Sequence, residues 1–194
     1  MLRILATVVA LTISAAALAE TPSYNYIEGV YQRVDLDDDF GPNIDGDGFG
    51  IGGSYEVADN WHIFGGYSTF GLDFDIDLKE LAIGAGYHAD ISDAASFYAN
   101  LAYINAEIDV VGFGSVDDNG YGVMVGVRGM ASERLELDGN LSYVDLGDGS
   151  DGTALGVSAL YALSDSFSLG LTAGFDEDTT TYGLVGRVYF GRKS

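Results

Sequence analysis

The chain has no cysteine, only two prolines, and eight lysine or arginine residues against thirty aspartate and glutamate residues. Without cysteine there is no disulfide framework and no thiolate chemistry. The shortage of cations leaves a formal net charge of −22 over 194 residues. That excludes nucleic acid as a partner, because phosphate binding draws on clusters of Lys and Arg. It also excludes docking onto anionic lipid through a basic patch. After residue 19 no apolar run is long enough to cross a membrane as a helix. Twenty-eight glycines with so few prolines suit strands that curve tightly around a small lumen.

What is present begins with MLRILATVVALTISAAALAE. Arg3 supplies a positive start, Ile4 to Ile13 a short apolar core, and Ala17-Leu18-Ala19 a small-x-small cleavage site. This reads as a secretory signal peptide over residues 1–19, with residues 20–194 as one domain. Removing Arg3 with the leader takes the charge from −22 to −23.

The dominant pattern downstream has period two. In GFGIGGSYEV, residues 48–57, Phe49, Ile51, Tyr55 and Val57 point one way; Gly48, Gly50, Gly52, Ser54 and Glu56 point the other. Such a segment recurs ten times, at 24–33, 47–57, 61–69, 78–89, 95–106, 120–131, 135–144, 153–163, 167–175 and 181–190. About ten residues is the length of a tilted transmembrane strand. The connections 58–60, 90–94, 132–134 and 164–166 are short; 34–46, 70–77, 107–119, 145–152 and 176–180 are longer. Alternating short and long connections fit tight periplasmic turns and longer outside loops.

One face of these segments is apolar and nearly free of charge; the other is Gly, Ala and Ser with scattered charges. A soluble barrel would show a Lys-rich outer face, which this chain lacks. Apolar-face aromatics fall at two levels. Tyr55, Trp61, Tyr87, Phe97, Tyr161, Phe167 and Phe190 lie by the short turns. Phe49, Tyr67, Tyr103, Tyr121, Tyr143, Phe175 and Tyr182 lie toward the long loops. Two such rings are the girdles that anchor a barrel at the lipid–water boundaries. The fold class is therefore all-β, an antiparallel transmembrane β-barrel of ten strands, with eight strands as the alternative.

The signal peptide, the ten segments, the closing aromatic-alternating strand, and YNYIEGVY at 24–31 and WHIFGGYS at 61–68 resemble a known group. They resemble the small outer-membrane β-barrel proteins of Gram-negative bacteria, the superfamily of OmpX, Ail and the OmpA membrane domain. The resemblance implies the outer membrane as location, with lipid and lipopolysaccharide around the wall. It also implies periplasmic chaperones and the barrel-assembly machinery in transit, and a monomeric state. The chain departs from that group where GRKS follows Tyr189-Phe190, since the last strand there usually ends the chain on an aromatic residue.

Two groups of residues could carry function. Most of the thirty acids fall in or beside the long connections. Among them are Asp35, Asp37, Asp38, Asp39, Asp45, Asp47, Asp73, Asp75, Asp77, Asp176, Glu177 and Asp178. Clustered carboxylates can bind divalent cations, but DLDDD and DGDG match no calcium motif. A solvated anionic surface is the simpler reading, and no cofactor is assigned. The second group, Glu28, Glu56, His62, His88, Arg128, Glu136, Asp138 and Arg187, falls on the small-residue face. All but Asp138, one pleat deeper, should lie at the periplasmic end, as an ion network plugging the lumen or gating a narrow channel. Phe64, Phe70, Tyr98, Met124, Met130 and Tyr189 should narrow the lumen further. A hydrolase is the weakest reading: both histidines fall beside periplasmic turns, away from the outer aspartates, and no GxSxG elbow occurs. The expected role is structural or interactive at the cell surface, the alternative a narrow channel, and no enzyme activity is assigned.

Overall fold

The computed structural model describes residues 21–36, 44–73, 75–112, 114–147, 151–177 and 179–191. The leader, Asp37, Asp38, Asp39, Asp148, Asp178 and residues 192–194 lie outside them. Ten strands follow in chain order: β1 Tyr26–Leu36, β2 Ile44–Ala58, β3 Trp61–Leu72, β4 Ile76–Ser92 and β5 Ala95–Val110, then β6 Gly114–Ser132, β7 Leu135–Asp145, β8 Asp151–Ala162, β9 Phe167–Phe175 and β10 Thr179–Tyr189. Each pairs antiparallel with its sequence neighbour, and β1 pairs with β10 to close the ring. All ten strands take part, which rules out the eight-strand alternative. Closure leaves no strand edge unpaired, the condition for strands to stand in lipid.

The register sorts side chains as the alternation requires. Among the described residues thirty-seven large apolar side chains are exposed and eight are buried, the inverse of a soluble core. Trp61 is 51% exposed, Leu101 59% and Leu184 54%. Every aromatic of both predicted rings is on this outer face. The interior holds small residues, the charged groups, and an apolar set that includes Val34, Ile104, Val185 and Leu160.

At one end of the barrel three two-residue turns, 59–60, 93–94 and 133–134, follow one plan. The ladder beside each skips a residue, between Glu56 and Ala58, Asp90 and Ser92, and Met130 and Ser132. These bulges let short turns join strongly twisted strands. Asn60 takes a left-handed φ of 66°, which its short polar side chain tolerates.

The outer end differs from the sequence expectation. Strands β2, β4, β5 and β6 run on past the predicted limits, to 15, 17, 16 and 19 residues. Connections predicted as long loops shrink to 73–75 and 111–113. Period two fades there because neither face meets lipid or a packed lumen, yet the backbone still satisfies its polar groups by pairing. Asp35, Asp45, Asp47 and Asp77 therefore stand on strands, not in loops.

Candidate functional site

Strands β6, β7, β10 and β1 bring four charged side chains together inside the end that carries the short turns. Arg128 on β6 donates from Nε to Glu136 Oε1 of β7 at 2.7 Å. Arg187 on β10 donates from Nη1 to the same oxygen at 2.8 Å and from Nη2 to Glu28 Oε2 of β1 at 2.7 Å. The Tyr189 hydroxyl donates to Glu136 Oε2 at 2.5 Å and accepts from Arg128 Nη2 at 3.1 Å. Two arginines and two glutamates balance in charge. Arg128 keeps 3% exposure, Glu136 5% and Arg187 8%. The Arg187 guanidinium lies 4.3 Å from the Tyr26 ring centroid and that of Arg128 5.1 Å from it. Because β6 and β1 are diametrically opposed in a ten-strand ring, the contact between Arg128 and Tyr26 spans the interior.

A second row lies against β2, β3, β4 and β5. His62 Nδ1 and His88 Nδ1 are 3.2 Å apart, His62 Nε2 is 3.0 Å from Asn100 Oδ1, and His88 Nε2 is 3.3 Å from Glu56 Oε1. Two orientations of the Asn100 amide satisfy it. With Asn100 Oδ1 accepting from His62 Nε2, one of the two imidazoles must carry a second proton for His88 Nε2 to donate to Glu56. With the Asn100 amide turned over, both rings are neutral and each donates toward Glu56. Gly86 on β4 lies beneath this row; a Cβ there would strike Asn100 Oδ1 and the His62 ring. Asp138 belongs to neither group: its Oδ1 accepts from Tyr98 Oη at 3.2 Å and Asn140 Nδ2 at 2.9 Å. Above lies a cavity of about 520 Å³ whose walls include Glu28, Glu80, Phe64, Asn100 and Asn140.

The acidic residues at the outer end face one another. Cross-strand partners include Asp35 with Asp45, Asp77 with Asp109, Glu107 with Asp117, and Asp145 with Asp151. Asp47 is opposite Arg33, whose guanidinium lies 3.8 Å from Asp35 and 3.9 Å from Asp45. Lys79 Nζ donates to Glu107 Oε1 at 2.8 Å, which raises the lysine pKa above its ordinary value. Asp73 and Asp75 sit in the 73–75 turn, and Asp176 and Glu177 follow β9. Among the described residues no three His, Asp or Glu side chains converge to hold a metal ion.

Sequence reasoning missed Tyr24, Asn25, Ser96 and Asn100. Tyr24 shares parity with Glu28, which places it on the inward side, but Tyr31 has the opposite parity and obscured the face of the whole segment. Ser96 and Asn100 are among many small or neutral residues on the inward face, and nothing in their spacing marks them.

A sequence model of the outer membrane protein beta-barrel domain matches residues 4–162, more than half of the chain. The chain belongs to that family. No curated protein matches it in sequence. Among solved structures it is similar to the COG4313 outer membrane channel from Pseudomonas putida F1, with 11% identity, 91% of this chain and 99% of that one covered, and a TM-score of 0.55. It is also similar to the KdgM porin in complex with disordered oligogalacturonate, with 12% identity, 86% and 99% covered, and a TM-score of 0.50. The Ail attachment invasion locus protein of Yersinia pestis matches with 16% identity, 86% and 99% covered, and a TM-score of 0.43. Identities this low speak for a shared fold alone. The family places this barrel in the outer membrane of Gram-negative bacteria. Its matched span ends at the close of β8, so β9 and β10, which close the ring, lie beyond it.

Proposed function

We propose that this outer-membrane barrel is a rigid, closed support that carries an acidic interaction surface outside the cell. The observation behind closure is the neutral network of Arg128, Glu136, Arg187, Glu28 and Tyr189, which reaches from β6 to β1 across the interior. Small barrels fill their interiors in this way. The acidic cross-strand pairs support the surface role. Like charges directly opposite weaken a sheet; Arg33 offsets one pair and Lys79 another, so Asp77 with Asp109 and Asp145 with Asp151 are carried for a purpose other than folding. Their partner would be cationic: a divalent ion shared with lipopolysaccharide phosphates, or a basic surface. The outer face meets lipid and lipopolysaccharide, chaperones and the assembly machinery escort the chain there, and it works as a monomer without catalysis.

The test combines two measurements. The folded protein in planar bilayers should show no stable single-channel openings. Changing Asp77, Asp109, Asp145 and Asp151 together to Asn should alter envelope integrity or surface binding while heat-modifiable mobility on gels stays unchanged. Steady conductance by the intact protein would overturn closure and favour the channel reading, which the 520 Å³ cavity supports. Unchanged surface behaviour would overturn the surface role.

A further inference from the structure

Residues 21–25 precede β1 and turn into the periplasmic mouth instead of extending the strand. Pro22 is buried, and Tyr24 keeps only 5% exposure. The Tyr24 ring stacks on His88 at 3.9 Å between centroids and lies 4.8 Å from His62. It presents an edge arrangement to Tyr98 at 6.4 Å and receives the Arg128 guanidinium at 5.2 Å. Its hydroxyl shares a 2.8 Å hydrogen bond with Ser96 Oγ. One side chain hung from β1 thus touches β3, β4, β5 and β6. Asn25 secures its base, donating from Nδ2 to Glu56 Oε2 at 2.8 Å and accepting from the Glu56 N–H at 2.8 Å.

The backbone of this segment is held differently from the strands. The barrel ladder begins at Tyr26. Among the described residues, the backbone–backbone bond made by 21–25 is that from Phe190 N–H to the Asn25 carbonyl. Its other hydrogen bonds among the described residues run through the side chains of Ser23, Tyr24 and Asn25. Segments without a ladder open at lower free energy than the sheet they lean on. Tyr24, His62 and Asn100 also line the 520 Å³ cavity. Tyr24 is therefore part of what separates that cavity from the periplasm, whereas the arginine–glutamate network is anchored wholly on strands.

The geometry points to residues 21–25 as a strap that gates the periplasmic mouth, with Tyr24 as its bolt and the His62–His88 row as its seat. Lifting the strap uncovers the histidine row and one face of Arg128 and opens the β2–β5 side of the mouth, the half that the arginine–glutamate network on β6, β7, β10 and β1 does not cover; the network and the ladder stay intact. This rests on the closed-lumen reading.

Two experiments test it. In the intact protein, hydrogen exchange at the Tyr24 and Asn25 amides should run at least tenfold faster than at Ile27 to Tyr31. Equal protection would overturn the strap. In planar bilayers Tyr24→Ala and deletion of 21–25 should show stable openings that the intact protein lacks, and Tyr24→Phe, which keeps the stacked ring, should stay silent like it. Heat-modifiable mobility establishes that each variant is folded; if the deletion does not fold, the comparison of Tyr24→Ala with Tyr24→Phe decides. Silent, folded strap variants alongside a conducting Arg187→Ala would sink the strap and leave the closed lumen standing. Steady conductance by the intact protein would sink the closed lumen itself.

Discussion

At the scale of single residues the interior is governed by pairing. Glu136 accepts from Arg128, Arg187 and Tyr189 at once. Replacing it by Gln leaves two buried guanidinium groups facing a single glutamate. Breaking a buried ion pair from one side costs about 3–5 kcal/mol, so Glu136→Gln should lower the unfolding free energy by that order in a urea titration in micelles. Lys79→Gln removes an exposed pair with Glu107 and should leave the same titration unchanged within error, as solvated pairs do. Gly86 makes a sterically sharper case. Gly86→Val places methyl groups where Asn100 and the His62 ring now sit, and overpacking of this kind costs roughly 1–3 kcal/mol. The His62 imidazole resonances should shift with it, while those of a control such as Gly139→Ala, with open space at its Cβ position, should not. None of these partners could be read from the sequence, because parity says that a side chain points inward but not how far around the ring its partner stands.

At the scale of strands and hairpins, the two faces answer to different solvents. Leu101, on the outer face at the middle of β5, should tolerate Arg poorly, by about 2–4 kcal/mol for a charge near the bilayer midplane. Its inward neighbour Ala102→Ser should fold like the original, and refolding titrations into vesicles would separate the two. The outer extensions obey a third regime. Asp77 faces Asp109 across a rung exposed to water, and relief of a like-charge pair is worth about 0.2–1 kcal/mol. Asp109→Asn should therefore raise stability slightly in the same titration, and a loss of stability would show that a cation already bridges the pair. Membrane-embedded strand segments were legible from alternation because lipid enforces it. The extensions were not, since water accepts either side chain on either face.

For the whole molecule, the sign of its charge decides what can approach. A chain of net charge −22 with eight cations, two of them consumed by the interior network, repels anionic solutes electrostatically. Whatever the acidic end recruits should be lost as ionic strength rises, which a binding measurement at two salt concentrations checks. The sequence by itself determined the architecture: period two, segment length and the sidedness of aromatics admit few structures besides a barrel in lipid, because lipid and lumen impose opposite demands on alternate residues. Only the tertiary structure decided which charges meet. Ring closure brings β6 opposite β1, so Arg128 reaches Tyr26 across 102 positions of chain, a proximity no local pattern encodes. It decided the course of residues 21–25 as well. Tyr24 leaves the strand because the mouth offers a buried ring seat on His88 and a hydroxyl partner in Ser96, and both exist only once the barrel has closed.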